Sequence, residues 1–239
     1  MKFYSIVVPA RNEEKYLART INHLKSLDYP KDKYEVIIVE SGSTDKTLSV
    51  AKKFSSKYIK VYHTNQKGVS KARNFGALKS SKKSDWIIFL DADTLLKKNL
   101  LNELDNFLEK SKGKYSSGGF QIIPIEKTPK SIAMLKFYNI ILQINKISFA
   151  VQAVRRDCFD FGKGERGVGY DDNLKVGEDY KILKDASKIG KFFFLKTNQV
   201  ETSTRRFDQI GWTKVFTIWV LGAILPYKLK KKLDYPVIR

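Results

Sequence analysis

The sequence has almost none of the residues that build disulfides or thiolate and imidazole metal sites: one cysteine, Cys158, and two histidines, His23 and His63, in 239 residues. A lone cysteine forms no intramolecular disulfide and no zinc-type cluster can be assembled, so any metal here is bound by oxygen. Acidic side chains are also scarce, 25 against 45 Lys and Arg, which leaves a formal net charge of +20. That imbalance predicts attraction to something anionic: nucleic acid, an acidic membrane surface or a phosphorylated ligand. Lysines spread along the whole chain are also what a lysine-rich proteome produces, so charge alone does not choose among these.

Long hydrophobic runs are missing as well. No segment reaches the roughly 18 to 20 uninterrupted apolar residues of a membrane span. The nearest, "VFTIWVLGAILPY" at 215–227, is followed by "KLKKK" and has the length of an interfacial segment. The start, "MKFYSIVVPARNEE", turns charged after a very short apolar run and does not read as a signal peptide, which predicts a cytoplasmic protein. What is present is a folding composition: 42% hydrophobic residues with 15 Phe and 12 Tyr exclude a disordered chain. The length suits one α/β domain with insertions, and neither an internal repeat nor a low-complexity linker interrupts it.

The first hundred residues alternate. Apolar, β-branched runs at "YSIVVPA", "YEVIIVE", "YIKVYHT" and "DWIIFLDAD" predict strands, three of them buried on both faces. Helical patterns lie between them at "EEKYLARTINHLKSL", "STDKTLSVAKKF" and "VSKARNFGALKSS", so the order predicts a parallel sheet with covering helices. Ser43 or Thr44 is expected to cap the second helix, with Asp45 in its first turn. Beyond residue 115 the pattern predicts a strand at "SSGGFQIIP", a long apolar helix at "PKSIAMLKFYNIILQINKI", a glycine-rich loop over 162–177, a helix at "EDYKILKDASKIG" and a strand at "KFFFL". Ligands of such sheets bind outside the carboxyl ends of the strands, which are here Pro9 to Glu13, Glu40 to Asp45 and Asp91 to Asp93.

The carboxylates Asp91 and Asp93 stand one residue apart at the end of an apolar strand. A chain that turns there can bring both to one hard cation, and Mg²⁺ is typically held by one or two carboxylates plus substrate phosphates. The alternative is a solvated turn in which Asp93 or Thr94 caps the next helix. The wider pattern decides: "VPARNEE", "VIIVESGSTDKT", "KGVSKARNFGAL", "DWIIFLDAD" and "GEDYKI", in this order over residues 3 to 207, resemble glycosyltransferase family 2, the inverting nucleotide-sugar transferases. The resemblance implies a GT-A fold, a Rossmann-like α/β domain with a mostly parallel central sheet flanked by helices, followed here by an apolar and basic C-terminal helix.

Residue by residue, it implies that Pro9, Arg11, Asn12 and Glu13 line the nucleotide pocket. Glu40 and Ser41 stand where the family often has two Asp residues contacting base and ribose, and here the second acid is absent. Lys67 and Arg73 face the diphosphate and base, and a guanidinium suits phosphate because it is always charged and bidentate. Asp93 is the direct ligand of Mg²⁺ or Mn²⁺, with Asp91 beside it contacting the ribose or donor sugar. Asp179 is the base that takes the acceptor proton, supported by Glu178. Arg205 and Arg206 bind the diphosphate, and the 162–177 loop orders on donor binding.

The expected domains are thus a catalytic unit over 1–207 and a C-terminal helical segment over 208–239. Trp212, Trp219 and Tyr227 with the lysines beyond them suit a membrane interface. That predicts a peripheral protein at the cytoplasmic face of a membrane, with a nucleoside diphosphate sugar donor, UDP before GDP, and a lipid-linked acceptor. The same segment also suits packing against the domain. Among competitors, a nucleotidyltransferase would carry glycines in the first loop, and "VPARNEEKY" has none. A nucleic-acid-binding protein would not place acids at three strand or helix ends. A non-catalytic relative that binds nucleotide sugar remains the other reading of the same motifs.

Overall fold

The computed structural model describes residues 1–159, 168–174, 176–215, 217 and 229. The four apolar runs form β1 (Tyr4–Ala10), β2 (Tyr34–Glu40), β3 (Ile59–His63) and β4 (Trp86–Leu90), all parallel and ordered β3-β2-β1-β4. Val7 is in register with Ile37 on one side and Phe89 on the other. These central strands are buried on both faces, which is why they read as continuous apolar runs.

The intervening helices are α1 (Leu17–Lys25), α2 (Thr47–Lys52) and α3 (Val69–Lys79). The expected cap of α2 is corrected: the helix starts at Thr47, and neither Ser43 nor Thr44 caps it. Asp45 lies before the helix and accepts the Thr47 N–H at 2.9 Å, while Ser43 and Thr44 bond to Asn12 instead.

After β4 the chain makes a short strand β5 (Thr94–Leu96) before α4 (Leu100–Lys110), so Asp93 and Thr94 cap no helix. There follow β6 (Tyr115–Phe120), β7 (Ile123–Pro124), α5 (Pro129–Asn145), β8 (Val151–Arg155), α6 (Glu178–Ala186), β9 (Lys191–Leu195), β10 (Val200–Thr202) and α7 (Arg205–Ile210). Strand β8, which no sequence pattern announced, is inserted antiparallel between β4 and β6, and β9 completes the seven-stranded sheet beside β6. Strands β5, β10 and β7 form a second, small sheet.

Alternation along the strands divides the core in two. Ile6, Val8 and Ile38 face Leu17, Ile21 and Leu104 on one side; Val7, Ile37 and Phe89 face α3 and α6 on the other through Ala72, Ile182 and Leu183. Gly76 lets α3 lie directly on the sheet: a Cβ there would stand 2.3 Å from a Val7 methyl. Arg73, one turn earlier on the same helix, is brought by that contact to the carboxyl end of β4. Helix α7 runs across residue 208, and Trp212 and Val215 are buried in the first of these cores. Residues 216, 218–228 and 230–239 of the expected C-terminal segment, and 162–167 and 175 of the expected loop, lie outside the described residues. No described helix is long and apolar enough to cross a membrane.

Candidate active site

The loops after β1 and β2 are stitched together by backbone-directed hydrogen bonds. Asn12, in the left-handed region at φ 55°, donates its N–H to Ser43 Oγ and accepts the Thr44 N–H on Oδ1 at 2.8 Å. The Glu13 N–H is bonded to Thr47 Oγ1 at 2.8 Å, and Ser41 donates its N–H to the Ala10 carbonyl. Pro9 and Ala10 lead into this floor, and Arg11 stands on it with a buried Nε that has no hydrogen-bond partner among the described residues. Glu40 is almost wholly buried and accepts from the Ser43 N–H and from His63 Nδ1, both at 2.5 Å. Burial opposes its ionised form, but those hydrogen bonds outweigh it and hold the carboxyl below its usual range. Lys67 is exposed on the loop before α3 and passes beside Gly42.

The turn after β4 is fixed through the backbone of Asp91 and Ala92. The Asp91 N–H reaches the Ala150 carbonyl at 2.8 Å, the Thr94 N–H reaches the Asp91 carbonyl, and Thr20 Oγ1 on α1 donates to the Ala92 carbonyl at 2.6 Å. The two side chains then go to different arginines. Asp91 Oδ1 accepts from Arg73 Nη2 at 2.9 Å. Asp93 Oδ2 lies 3.0 Å from Arg205 Nη2, which also meets Glu13 Oε2 at 2.9 Å. The Arg205 guanidinium stacks over the Tyr16 ring at 3.7 Å. The side chain of Arg206 lies outside the described residues.

Gly177, at φ 80°, starts α6 so that Glu178 and Asp179 occupy its first turn. Asp179 Oδ1 accepts from Arg73 Nη1 at 2.6 Å, and Glu178 Oε1 lies 3.6 Å from the same nitrogen. Helix-dipole stabilisation of such acids is worth about 0.3–1 kcal/mol, under one pH unit. It is overcome here: burial, and then the neighbouring Asp179, push Glu178 up to about 8. Asp179 is also raised, by burial first, with Arg73 opposing and Asp91 adding to the rise. Glu13 is raised by burial and by Asp93.

Two members of this cluster were not foreseen. Tyr170 lies under the Arg73 guanidinium, ring centroid 4.9 Å from Cζ, and its hydroxyl donates to Gln152 Oε1 at 2.6 Å. Gln152, on β8, in turn bonds the Asp179 side chain. Asn74 clamps Tyr170 by its backbone N–H and carbonyl, at 2.9 and 2.8 Å. The "GYDD" stretch carried an aromatic beside the acids of a glycine-rich loop, but nothing local tied it to Arg73. Cys158 is buried with its thiol pushed up to about 12 by burial, so it serves as no nucleophile.

Five carboxylates therefore share two guanidiniums within a protein of high positive charge. Three of those acids have raised pKa values, with burial the first cause and neighbouring carboxylates adding to it. The donor set is all oxygen, which fits a hard divalent cation. Among the described residues no group of three or more His, Cys, Asp or Glu side chains could hold a metal by itself. A cation here would draw further oxygens from its substrate.

Comparison with known proteins bears on the family and the fold. The profile of glycosyl transferase family 2 matches residues 5–160. A poly(ribitol-phosphate) β-N-acetylglucosaminyltransferase of Staphylococcus aureus, TarS, is 36% identical over 112 residues, 46% of this chain but only 19% of that enzyme. In overall fold, the structure of TarS 1-349 in complex with UDP-GlcNAc superposes with a TM-score of 0.69 at 22% identity, covering 96% of this chain and 69% of that one. A mannosyltransferase of Pyrobaculum calidifontis, in complex with GDP-Man and Mn²⁺, superposes with a TM-score of 0.70 at 18% identity, covering 93% and 63%. The matched profile spans more than half of the chain and includes the loops after β1, β2 and β4, and on that ground the protein belongs to glycosyl transferase family 2.

Proposed function

We propose that the protein is an inverting glycosyltransferase that moves a sugar from a nucleoside diphosphate sugar, UDP before GDP, to an acceptor hydroxyl or phosphate. The observation that carries this reading is the Arg73 bridge, which holds the acid pair of α6 against the turn of Asp91 and Asp93. Such a site needs one acid beside the acceptor and others beside the leaving diphosphate, held in fixed relation.

In this reading the nucleotide lies over the loops after β1 and β2, bounded by Pro9, Asn12, Glu40 and Ser41, with Arg11 and Lys67 toward phosphate. Asp179 takes the acceptor proton as the acceptor oxygen attacks the anomeric carbon from the face opposite the diphosphate. The bond from that carbon to the diphosphate breaks, and the electron pair leaves with the diphosphate oxygen. Arg73 opposes the effect of burial on Asp179 and keeps the base oriented. Glu178, protonated at neutral pH, leaves the base to its neighbour.

Asp93, with Asp91 beside it, would hold Mg²⁺ or Mn²⁺, which supplies Lewis-acid stabilisation of the charge on the departing diphosphate. The all-oxygen donor set around Arg205, Asp93 with Glu13, supports that assignment, as does the Mn²⁺ in the complex of the Pyrobaculum enzyme. Arg205, released from Asp93 and Glu13, becomes a diphosphate ligand, and Arg206 is its partner in this role. The catalytic unit spans residues 1–207 with the C-terminal segment beyond it. The acceptor is lipid-linked and the protein works peripherally at the cytoplasmic face of a membrane, as the apolar and basic segment at 215–232 supports.

The test is calorimetry of UDP and GDP with and without Mn²⁺ at moderate salt. Metal-dependent binding of UDP is expected; no metal-dependent binding of either nucleotide by the folded protein would refute the reading.

A further inference from the structure

Helix α5 is apolar on both of its sides. One side is core: Ser131, Leu135, Tyr138 and Leu142 are buried. The opposite side carries Phe137, Ile140 and Ile144 at 51%, 57% and 72% exposure, spaced three and four residues apart. A helix apolar all round is ordinarily buried all round. A contiguous apolar strip left on a surface marks an interaction site.

Its surroundings say what kind. The 17 residues of α5 include no acid, while the exposed Lys130 and Lys136 lie on the helix and the exposed Lys146 caps it. At its N-terminal end a groove of about 540 Å³ opens between α5 and the residues after α7, lined by Lys130, Met134, Phe207, Trp212 and Thr213 among others. Lys130 Nζ stands 5.6 Å from the centre of the Trp212 ring, which stacks on Phe207. The chain continues from this groove into the apolar 215–227 stretch and its lysines. An apolar strip flanked by lysines and an aromatic rim is complementary to an anionic bilayer; the acid that lines the groove, Asp208, is engaged by Trp212 Nε1 at 2.9 Å.

We propose that this face of α5, with the groove at its end, docks on an anionic phospholipid surface. The inference rests on the reading of the protein as a transferase for a lipid-linked acceptor, and it names the surface that meets the lipid. The docking face is one helix away from the donor site: α7 begins with Arg205, on Glu13 and Asp93, and its Phe207 packs against Tyr138 of α5 at 5.7 Å between ring centres. A protein docked through this face has its donor site one helix removed from the lipid surface.

The experiment is cosedimentation of the full chain with vesicles of phosphatidylglycerol and phosphatidylcholine, and of phosphatidylcholine alone. Mixed vesicles are expected to bind the protein, and the Ile140→Asp/Ile144→Asp double variant to bind them about tenfold or more weakly. UDP binding with Mn²⁺ by the same variant, unchanged from wild type, shows that the fold is intact. Equal vesicle binding by variant and wild type overturns the proposal, as does failure of wild type to bind anionic vesicles. A wild-type dimer in sedimentation velocity that the double variant dissolves, with no vesicle binding, assigns the face to a second copy and also overturns it. Vesicle binding that depends on Ile140 and Ile144 in a protein that binds no UDP would leave the surface standing and remove the transferase reading. UDP binding without vesicle binding does the reverse.

Discussion

Arg73 Nη1 lies 2.6 Å from Asp179 Oδ1, and the other terminal nitrogen of the same guanidinium lies 2.9 Å from Asp91 Oδ1. One planar group thus sets the spacing between the first turn of α6 and the carboxyl end of β4. Arg73 is almost wholly buried on α3, so its position is fixed by the packing of that helix on the sheet.

Replacing Arg73 with Met leaves Asp91, Glu178 and Asp179 without their cation, the last two with side chains only 11% and 16% exposed. Loss of one partner of a buried pair costs about 3–5 kcal/mol, and that is the expected drop in unfolding free energy at neutral pH, read by urea titration. Lysine restores the charge without the fork, so Arg73→Lys should recover part of the stability and little of the transferase activity.

The raised pKa of Glu178 gives stability a definite pH dependence. Between its ordinary value of 4.5 and about 8 the native protein binds a proton that the unfolded chain has released. Stability from this group is therefore fully present below about 4.5 and is lost as pH rises through 8, with a slope approaching ~1.4 kcal/mol per pH unit. Urea midpoints at pH 5, 6.5 and 8 should show the decline in wild type and its absence in Glu178→Gln. A decline of equal slope in the variant would assign it elsewhere.

Donor-side and acceptor-side acids should separate kinetically. Asp93→Ala is expected to weaken metal-dependent UDP binding by about tenfold or more. Asp179→Asn keeps the shape and should leave UDP affinity within about twofold while lowering transfer by ~100- to 10,000-fold. Equal loss of binding in the two variants would reject these roles.

The Tyr170 hydroxyl is a second handle on Asp179, the proposed base. Tyr170→Phe removes its hydrogen bond to Gln152, costing about 1 kcal/mol of stability. It frees Gln152 to turn away from Asp179, so turnover should fall while the KM for donor holds, and the pH profile of turnover should shift. A loss of stability with an unmoved pH profile would make Tyr170 a packing residue only.

Gly118 on β6 exists to admit a ring. A Cβ there would sit 2.2 Å from the Phe193 side chain, which is held among Trp86, Phe107, Tyr115 and Phe120 at centroid distances of 5.3 to 6.0 Å. Gly118→Ala should cost about 1–3 kcal/mol by overpacking, and pairing it with Phe193→Leu should recover part of the loss. Thermal melts of the single and double variants check this.

What the sequence shows of this fold follows burial. Strands β1, β2 and β4 are covered on both faces and so stand out as unbroken apolar runs. Strand β8, "VQAVR", is short and carries Gln152 and Arg155, polar groups with partners as far as 18 and 42 residues away, so no periodicity reveals it. The acids of the site were legible because each ends a strand or begins a helix. Tyr170 and Gln152 were not, since only the closed fold brings them to Arg73 and Asp179. The helix cap failed for a similar reason: Ser43 and Thr44 had a competing partner in Asn12, 31 and 32 residues away.

The reversed strand β8 has a consequence for the acids. Strand β6 ends at Phe120 and β8 begins at Val151, in register with Leu90 at the end of β4. Everything from Gln121 to Ala150, including α5, is an excursion that leaves the sheet and returns to it on the edge where the acids sit. The excursion is tied to the acids at its return, where the Ala150 carbonyl accepts the Asp91 N–H, so a change in how this stretch ends would move the turn of Asp91 as well.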